Sequence, residues 1–251
     1  MTKPFLEIKG LTVAYGENVI MHDVDFTVNE RDVFIIMGGS GCGKSTLLTV
    51  LTGLKAPEKG TETFAGKPFW GNGATKADRD ALMRKAGILY QSGALWSSMT
   101  LAENVAMPLE QYTDFTPAEI KDLVALKLDL VGLGGFQNYY PAEISGGMKK
   151  RAGLARALAL DPQIVFFDEP SAGLDPISSK NLDDLILQIR ENLRTTIVMV
   201  THELPSIFAI GTNSIYLDAR TKTVIARGDP NELLKNPPNE TLEHFLTRGK
   251  K

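Results

Sequence analysis

The sequence lacks the features that mark secreted, membrane-spanning or nucleic-acid-binding chains. Cys42 is the single cysteine among 251 residues, which excludes an intramolecular disulfide and indicates a reducing compartment. The longest apolar runs, at 33–37, 164–167 and 196–200, fall far short of the roughly 18 residues of a membrane span. The N-terminus has no signal-peptide pattern, and the formal net charge of −3 disfavours a nucleic-acid binder. We therefore expect a soluble, cytoplasmic protein that reaches a membrane only through a partner.

The apolar runs predict buried strands of a parallel sheet, because each is short and continuous. Between 92 and 160 the pattern becomes helical. Thr100 with Glu103, and Thr116 with Glu119, have the spacing of helix capping boxes. Strands separated by helices predict an α/β core with a mostly parallel sheet, into which the helical stretch is inserted.

A glycine-rich segment directly follows the first apolar run. It fits the phosphate-loop pattern G-x-x-x-x-G-K-[ST] with residues Gly38, Gly39, Ser40, Gly41, Cys42, Gly43, Lys44 and Ser45, and Thr46 is assigned to the same binding set. Glycines let backbone N–H groups converge on phosphate oxygens, and the helix predicted to follow directs its positive N-terminus at the same anion. Lys44 is expected to bridge the β- and γ-phosphates of ATP, and Ser45 to coordinate Mg²⁺. A chance match in a glycine-rich turn is the alternative.

Cys42 lies inside this loop, and two hypotheses apply to its thiol. Either the thiol is accessible when the site is empty and shielded by bound ATP, or a small side chain simply fills a tight turn.

Two acids end the apolar run at 164–167. Asp168 and Glu169 are expected to face the ligand crevice, because ligands bind at the carboxyl ends of parallel strands. Asp168 would hold Mg²⁺ through a water, and Glu169 would orient and polarise the attacking water. The alternative is a solvated acidic turn, which is common where no phosphate loop accompanies it.

The order of further motifs resembles the ATP-binding cassette (ABC) family across essentially the whole chain. The segment 144–148, ISGGM, resembles the family signature that is usually written LSGGQ. The other family markers occur in the expected order: Tyr15, which would stack on adenine; Gln91 of the Q-loop, which would sense Mg²⁺ and the attacking water; the D-loop at 171–175; and His202, the switch histidine that would contact the γ-phosphate.

This resemblance implies a P-loop NTPase fold with a RecA-like core, a small antiparallel β subdomain and an inserted helical subdomain. The chain would be one ABC ATPase domain, 1–251. Residues 1–91 and 161–251 would form the core with its antiparallel part, and 92–160 the helical subdomain with the signature.

The resemblance also implies ATP hydrolysis with Mg²⁺ in a site that two copies of the chain share. Each ATP would lie between the phosphate loop of one copy and Ser145, Gly146 and Gly147 of the other, with Asp175 in the same binding set. The first turn of the signature helix is positively charged at 149–151, which opposes the helix dipole. Either a phosphate of the second copy's ATP relieves this conflict, or the side chains extend into water.

Three segments narrow the choice of transport system. QSGALW at 91–96, SGGMKKR at 145–151 and FDEPSAGLDPISS at 167–179 are similar to the Mla/Mce-associated cassettes that move phospholipids between bacterial membranes. This similarity implies a homodimer at the cytoplasmic face of the inner membrane, bound to permease subunits and an Mce-domain lipid-binding protein, without nucleic acid.

Other members of the family give competing interpretations. One is the ATPase of a different ABC transporter, and another is a soluble cassette of iron–sulfur cluster assembly. A DNA-repair or ribosome-associated ABC ATPase would typically carry two cassettes or a long coiled coil, and the sequence shows neither. The ABC motifs together exclude a P-loop kinase or GTPase.

Overall fold

The computed structural model describes residues 3–71 and 73–248, which form two compact units. The first unit comprises the described residues of Met1–Met83 and Thr196–Lys251, and the second comprises Arg84–Thr195. In chain order the strands are β1 (Pro4–Tyr15), β2 (Asn18–Asn29), β3 (Val33–Gly38), β4 (Lys59–Phe64), β5 (Lys67–Trp70), β6 (Ala86–Leu89), β7 (Ile164–Asp168), β8 (Thr196–Val200), β9 (Asn213–Asp218) and β10 (Thr223–Gly228). The α-helices are α1 (Lys44–Leu51), α2 (Lys76–Met83), α3 (Leu101–Tyr112), α4 (Pro117–Leu130), α5 (Gly146–Ala157), α6 (Pro176–Leu193), α7 (Leu204–Ile210), α8 (Pro230–Lys235) and α9 (Glu240–Leu246).

Two sheets organise the first unit. One is antiparallel and has the strand order β2-β1-β4-β5, which agrees with the antiparallel subdomain that the resemblance implies. In the other, β3 lies between β8 and β9 and runs parallel to both, while β10 pairs antiparallel with β9. Every residue of β3 is buried, as a continuous apolar run predicts for a strand covered on both faces.

The second unit combines the parallel pair β6–β7 with helices α3 to α6. Helix α5 packs closely on β6, where a Cβ on Gly87 would lie 2.3 Å from the carbonyl oxygen of Ala157. Glycine is therefore required at this position because any side chain would collide with backbone. In the division of the chain by its contacts, β6, β7 and α6 belong to the same unit as the helical stretch. The subdomain boundaries at 91/92 and 160/161, inferred from the sequence, stay a prediction.

Both predicted capping boxes are confirmed. At the start of α3 the Thr100 hydroxyl accepts from the Glu103 N–H, and the Glu103 carboxylate accepts from the Thr100 N–H at 2.7 Å. Thr116 and Glu119 make the same pair of bonds at the start of α4. Each box satisfies two N–H groups that a helix leaves open. Among residues 3–71 and 73–248, no helix is long and apolar enough to cross a membrane.

A buried lysine fixes helix α4 to the turn before β7. Lys127 is 4% exposed, and its Nζ lies 2.5 Å from Oδ1 of Asp161. Since the aspartate is largely exposed, the pair is only half withdrawn from water, which limits the desolvation cost of a buried charge.

Candidate functional site

The phosphate loop connects β3 to α1 in the first unit. Gly38 and Gly43 have positive φ angles of 155° and 99°, which glycine adopts at low cost. Gly43 is the N-cap residue of α1 and makes no side-chain capping bond to that helix. The N-terminus of α1 therefore directs backbone N–H groups at the loop, as in phosphate sites at helix N-termini.

Lys44 folds back over the loop from the first position of α1. Its Nζ donates to the carbonyl oxygens of Gly38 and Gly39, at 2.9 Å each, so the ammonium adds positive charge beside the N-terminus of α1. In the same helical turn Ser45 is exposed and Thr46 is half-buried. The Ser45 side chain is therefore accessible to a metal ion bound with a nucleotide.

Cys42 is buried in the loop, and its Sγ lies 4.0 Å from Nζ of Lys44. Burial raises the pKa of the thiol, and the nearby Lys44 charge opposes this shift in part. Because the thiolate is the reactive form of cysteine, the geometry favours the space-filling interpretation of Cys42 over the accessible thiol.

His202 leaves the sheet at the same edge as the phosphate loop. Ile36 of β3 and Val200 of β8 are register partners in a parallel pair, and Gly38 and His202 each follow two residues later. The His202 side chain is exposed, with Nε2 3.7 Å from Oε1 of Glu203. The first unit thus brings the phosphate loop and the switch-histidine candidate together.

Tyr15 ends β1 with its side chain 55% exposed. Nζ of Lys55 lies 4.3 Å from the centre of its ring, a cation–π contact that holds the ring at the surface. The ring is accessible to a stacking partner, and the adenine-stacking role of Tyr15 stays a prediction.

The second unit brings three other candidates to one sheet edge. Leu89 and Phe167 are register partners in the parallel pair β6–β7, so Gln91 emerges at the edge where Asp168 ends β7 and Glu169 follows it. Glu169 has a φ of 48°, a left-handed conformation that costs a non-glycine residue about 1–3 kcal/mol. Strain of this kind is concentrated at functional sites. The left-handed backbone at Glu169 determines the direction in which its side chain projects after the strand.

The signature segment begins helix α5. Ser145 caps the helix, because its Oγ accepts from the N–H of Met148 at 3.2 Å. Within the described residues, a Cβ on Gly146 would meet nothing within 4 Å, and one on Gly147 would only touch Leu174 at 3.7 Å. The chain's own packing therefore requires neither glycine, which leaves bare backbone for a contact from outside.

Positive side chains after the signature are held by carbonyl groups of the same unit. Lys150 is buried and donates from Nζ to the carbonyl oxygens of Pro170 and Ala172, at 2.6 Å each. Arg151 donates to the carbonyl oxygen of Val131 at 3.2 Å, at the C-terminal end of α4. The expected extension into water is therefore wrong for Lys150, and relief of the conflict by a phosphate of the second copy's ATP stays a prediction.

Asp175 of the D-loop caps helix α6. Its carboxylate accepts from the N–H groups of Ile177 and Ser178 at 3.0 Å, and from the Ser178 hydroxyl at 2.5 Å. The bond from the hydroxyl, together with those from the backbone, lowers the pKa of Asp175. This capping role is additional to the nucleotide contact assigned from sequence, which stays a prediction.

A cavity of about 640 Å³ opens beside the signature within the second unit. Its walls include Ser145, Gly147, Arg151, Leu174 and Asp175. This volume lies within the range of small-molecule sites, and the N-terminus of α5 gives one wall a positive end.

Asn104 is a structural residue that the sequence motifs do not reveal. It is fully buried in α3, and its Oδ1 accepts from the N–H of Trp96 at 2.8 Å. Its Nδ2 donates to the carbonyl oxygens of Trp96, Met99 and Thr100. Asn104 therefore holds the segment after the Q-loop, and its position on an otherwise apolar helix face was the one available signal.

The donors assigned to Mg²⁺ suit that ion. The described part of the chain holds no cluster of three or more His, Cys, Asp or Glu that could bind a metal by itself. Mg²⁺ in nucleotide sites typically has one or two protein ligands, with phosphates and water completing its shell. Ser45, Gln91 and Asp168 each carry an oxygen donor of the kind that Mg²⁺ prefers, and their role as its ligands stays a prediction.

Comparison with known proteins decides the family. Residues 21–172, more than half of the chain, match the family model described as ABC transporter. The chain belongs to the ABC transporter family. It is 44% identical over 241 residues to a probable ribonucleotide transport ATP-binding protein, mkl, of Mycobacterium leprae; the match covers 96% of this chain and 68% of that protein.

Two other similarities span most of both chains. The intermembrane phospholipid transport system ATP-binding protein MlaF of Haemophilus influenzae is 37% identical over 238 residues, covering 94% of this chain and 88% of that protein. The dimeric, post-hydrolysis structure of the ATP-binding cassette MJ0796, bound to ADP and Pi, is similar with a TM-score of 0.80 and 28% identity. That match covers 89% of this chain and 98% of the solved one.

Family membership confirms the ABC ATPase fold, ATP and Mg²⁺ as cofactors, and ATP hydrolysis. The chain is the ATPase subunit of an ABC transporter. The roles of individual site residues stay predictions.

Proposed function

We propose that this chain powers phospholipid transport between bacterial membranes through ATP-driven closure of a homodimer. The observation that carries the proposal is the 37% identity with MlaF, because it extends over 94% of this chain and 88% of that protein. The QSGALW segment at 91–96 supports the same assignment. The homodimer binds permease subunits at the cytoplasmic face of the inner membrane, and an Mce-domain protein carries the lipid.

Ribonucleotide transport is the second candidate. The mycobacterial relative with that name is 44% identical to this chain, a higher identity than that of MlaF. However, the match covers 68% of the mycobacterial protein, so the remaining third of that protein lies outside the comparison. Fold and sequence motifs are shared by both candidates, and the distinction therefore depends on the substrate and the partner chains.

Each ATP binds the phosphate loop of one copy and the signature of the other. Three observations support this arrangement: the glycine at the N-cap of α1, the open space at Gly146, and the cavity beside Ser145. Helix dipoles from α1 and α5 then both direct positive potential at the phosphates.

Hydrolysis depends on positioning and electrostatics, because phosphoryl transfer requires little covalent chemistry from the protein. Glu169 orients and polarises the attacking water, His202 contacts the γ-phosphate, and Lys44 offsets the charge of the transferring group. Ser45, Gln91 and Asp168, the last through a water, would hold Mg²⁺, which would supply positive charge to the phosphates.

The proposal is tested by isolating the tagged chain from detergent-solubilised membranes of its native host. Mass spectrometry identifies the partner proteins and the lipids extracted with them, and the untagged strain is the control. We expect permease subunits, an Mce-domain protein and phospholipid above the control. Recovery of soluble partners alone would contradict the proposal. A permease complex without an Mce-domain protein, stimulated in proteoliposomes by ribonucleotides and not by phospholipid, would favour the second candidate.

A further inference from the structure

A buried lysine links the signature helix to the segment that follows Glu169. Lys150, in the second turn of α5, is 6% exposed. Its Nζ donates to the carbonyl oxygens of Pro170 and Ala172, at 2.6 Å each. Hydrogen bonds from an ammonium are shorter and about twice as strong as neutral ones. Lys150 therefore fixes the backbone on both sides of Ser171.

The fixed carbonyl groups belong to the first and third residues after Glu169. The segment has turn bonds of its own, from the Ala172 N–H to the Glu169 carbonyl at 3.2 Å and from the Leu174 N–H to the Ser171 carbonyl at 3.0 Å. These bonds close turns within the segment, whereas Lys150 ties the segment to a separate helix. The left-handed backbone at Glu169 is thus followed directly by residues whose path depends on α5.

Lys150 and Glu169 also interact through their charges. Burial lowers the pKa of Lys150, and the carboxylate of Glu169 opposes that shift. Loss of the ammonium would therefore alter both the path of the backbone after Glu169 and the electrostatic environment of its carboxylate.

We infer that Lys150 is a positioning residue for ATP hydrolysis, which couples the signature at the start of α5 to the orientation of Glu169. The inference rests on the proposed role of Glu169 in orienting water. When Ser145 and Gly146 contact the second copy's ATP, α5 carries the effect of that contact to Lys150, and Lys150 carries it to the carbonyl groups that it holds. A misplacement of a catalytic group by about 1 Å costs on the order of a hundredfold in rate. A residue that only positions Glu169 can therefore control hydrolysis without touching the nucleotide.

The test compares three variants of the full chain by steady-state ATPase kinetics and thermal unfolding. Lys150→Met keeps the length and removes the donor; we expect kcat to fall roughly tenfold or more while KM for ATP changes less than about twofold. Lys150→Arg restores a cation with N–H donors and recovers most of kcat. The control, Lys127→Met, removes another buried lysine of the same unit, paired with Asp161, and lowers Tm without a matching loss of kcat.

Three results would overturn the inference: a kcat of Lys150→Met within twofold of wild type, an equal loss of kcat in Lys127→Met, or no recovery in Lys150→Arg. If Lys150→Met does not fold, Lys150→Gln replaces it with the same expected loss, because its shorter, neutral amide cannot span both carbonyl groups. Glu169→Gln is measured in parallel. If Glu169→Gln keeps its turnover, the proposed role of Glu169 fails; if it is inactive while Lys150→Met is fully active, the inference about Lys150 alone fails.

Discussion

Ile36 and Val200 lie side by side in the parallel strands β3 and β8, and this pairing places two sequence-distant residues at one edge. The chain reaches Gly38 two residues after Ile36, and His202 two residues after Val200. Ligands bind at the carboxyl ends of parallel strands. The pairing therefore places a histidine from a different part of the chain next to a phosphate that the loop would hold.

Replacing that histidine is expected to reduce hydrolysis more than binding. His202→Ala removes the proposed γ-phosphate contact and should lower kcat at least about tenfold, while the phosphate loop keeps its affinity for ATP. Steady-state ATPase assays and titration with a fluorescent ATP analogue measure the two effects.

His22→Ala is the matched control, because His22 is also partly exposed and pairs with a neighbouring acid, Asp23. We expect wild-type turnover from this variant. Equal losses of kcat in both variants, or a full kcat in His202→Ala, would contradict the role of His202.

Asn104 is expected to stabilise the fold through its four hydrogen bonds to the segment 96–100. Asn104→Leu removes these bonds and leaves the N–H of Trp96 and three carbonyl groups of that segment without their side-chain partner. The free energy of unfolding should fall by about 1–3 kcal/mol, as measured by urea denaturation. Amide exchange at Trp96 should become faster in the variant.

The exposed Gln111 near the end of α3 provides a control for this prediction. Gln111→Leu should change the free energy of unfolding by no more than about 0.5 kcal/mol. A stability of Asn104→Leu equal to that of wild type would show that other contacts hold the segment.

Glu62 makes the stability of the protein depend on pH. It is fully buried in β4, and neither carboxyl oxygen has a hydrogen-bond partner among the described residues. Burial raises the pKa of Glu62 well above its ordinary value. Because the folded chain keeps this proton when the unfolded chain has lost it, stability falls as the pH rises from about 4.5 towards the folded-state pKa.

Glu62→Gln removes the ionisation but keeps the shape. Its Tm should match that of wild type near pH 4, below the pKa of the unfolded state, and should exceed it increasingly as the pH rises to about 8. Thermal unfolding at several pH values measures the difference, and Glu58→Gln, at an exposed glutamate, is the control. A difference in Tm that is constant with pH, or a wild type that is the more stable protein at pH 8, would contradict the assignment.

Local patterns predicted the parts of the fold that depend on neighbouring residues. The phosphate loop, both capping boxes and the strand at 196–200 are each specified within a few residues, and the structure confirms these elements. The sequence does not reveal the Asp175 cap, because its motif indicates a nucleotide contact instead. The expected extension of Lys150 into water is wrong for a different reason: its carbonyl partners lie 20 and 22 residues away, and helix geometry alone cannot show where a long side chain turns.

The shared site is the central claim, and the mass of the ATP-bound protein tests it most directly. Glu169→Gln should bind ATP without hydrolysing it, and analytical ultracentrifugation with MgATP should show a dimer. In the double variant Glu169→Gln/Gly146→Trp, the new Cβ meets no described atom within 4 Å, so folding and ATP affinity should persist. We expect this variant to sediment as a monomer. Glu169→Gln/Leu126→Trp, with its indole at an exposed position of α4, should remain a dimer. A monomeric Glu169→Gln at saturating ATP, or a dimer unaffected by Gly146→Trp, would contradict the shared site.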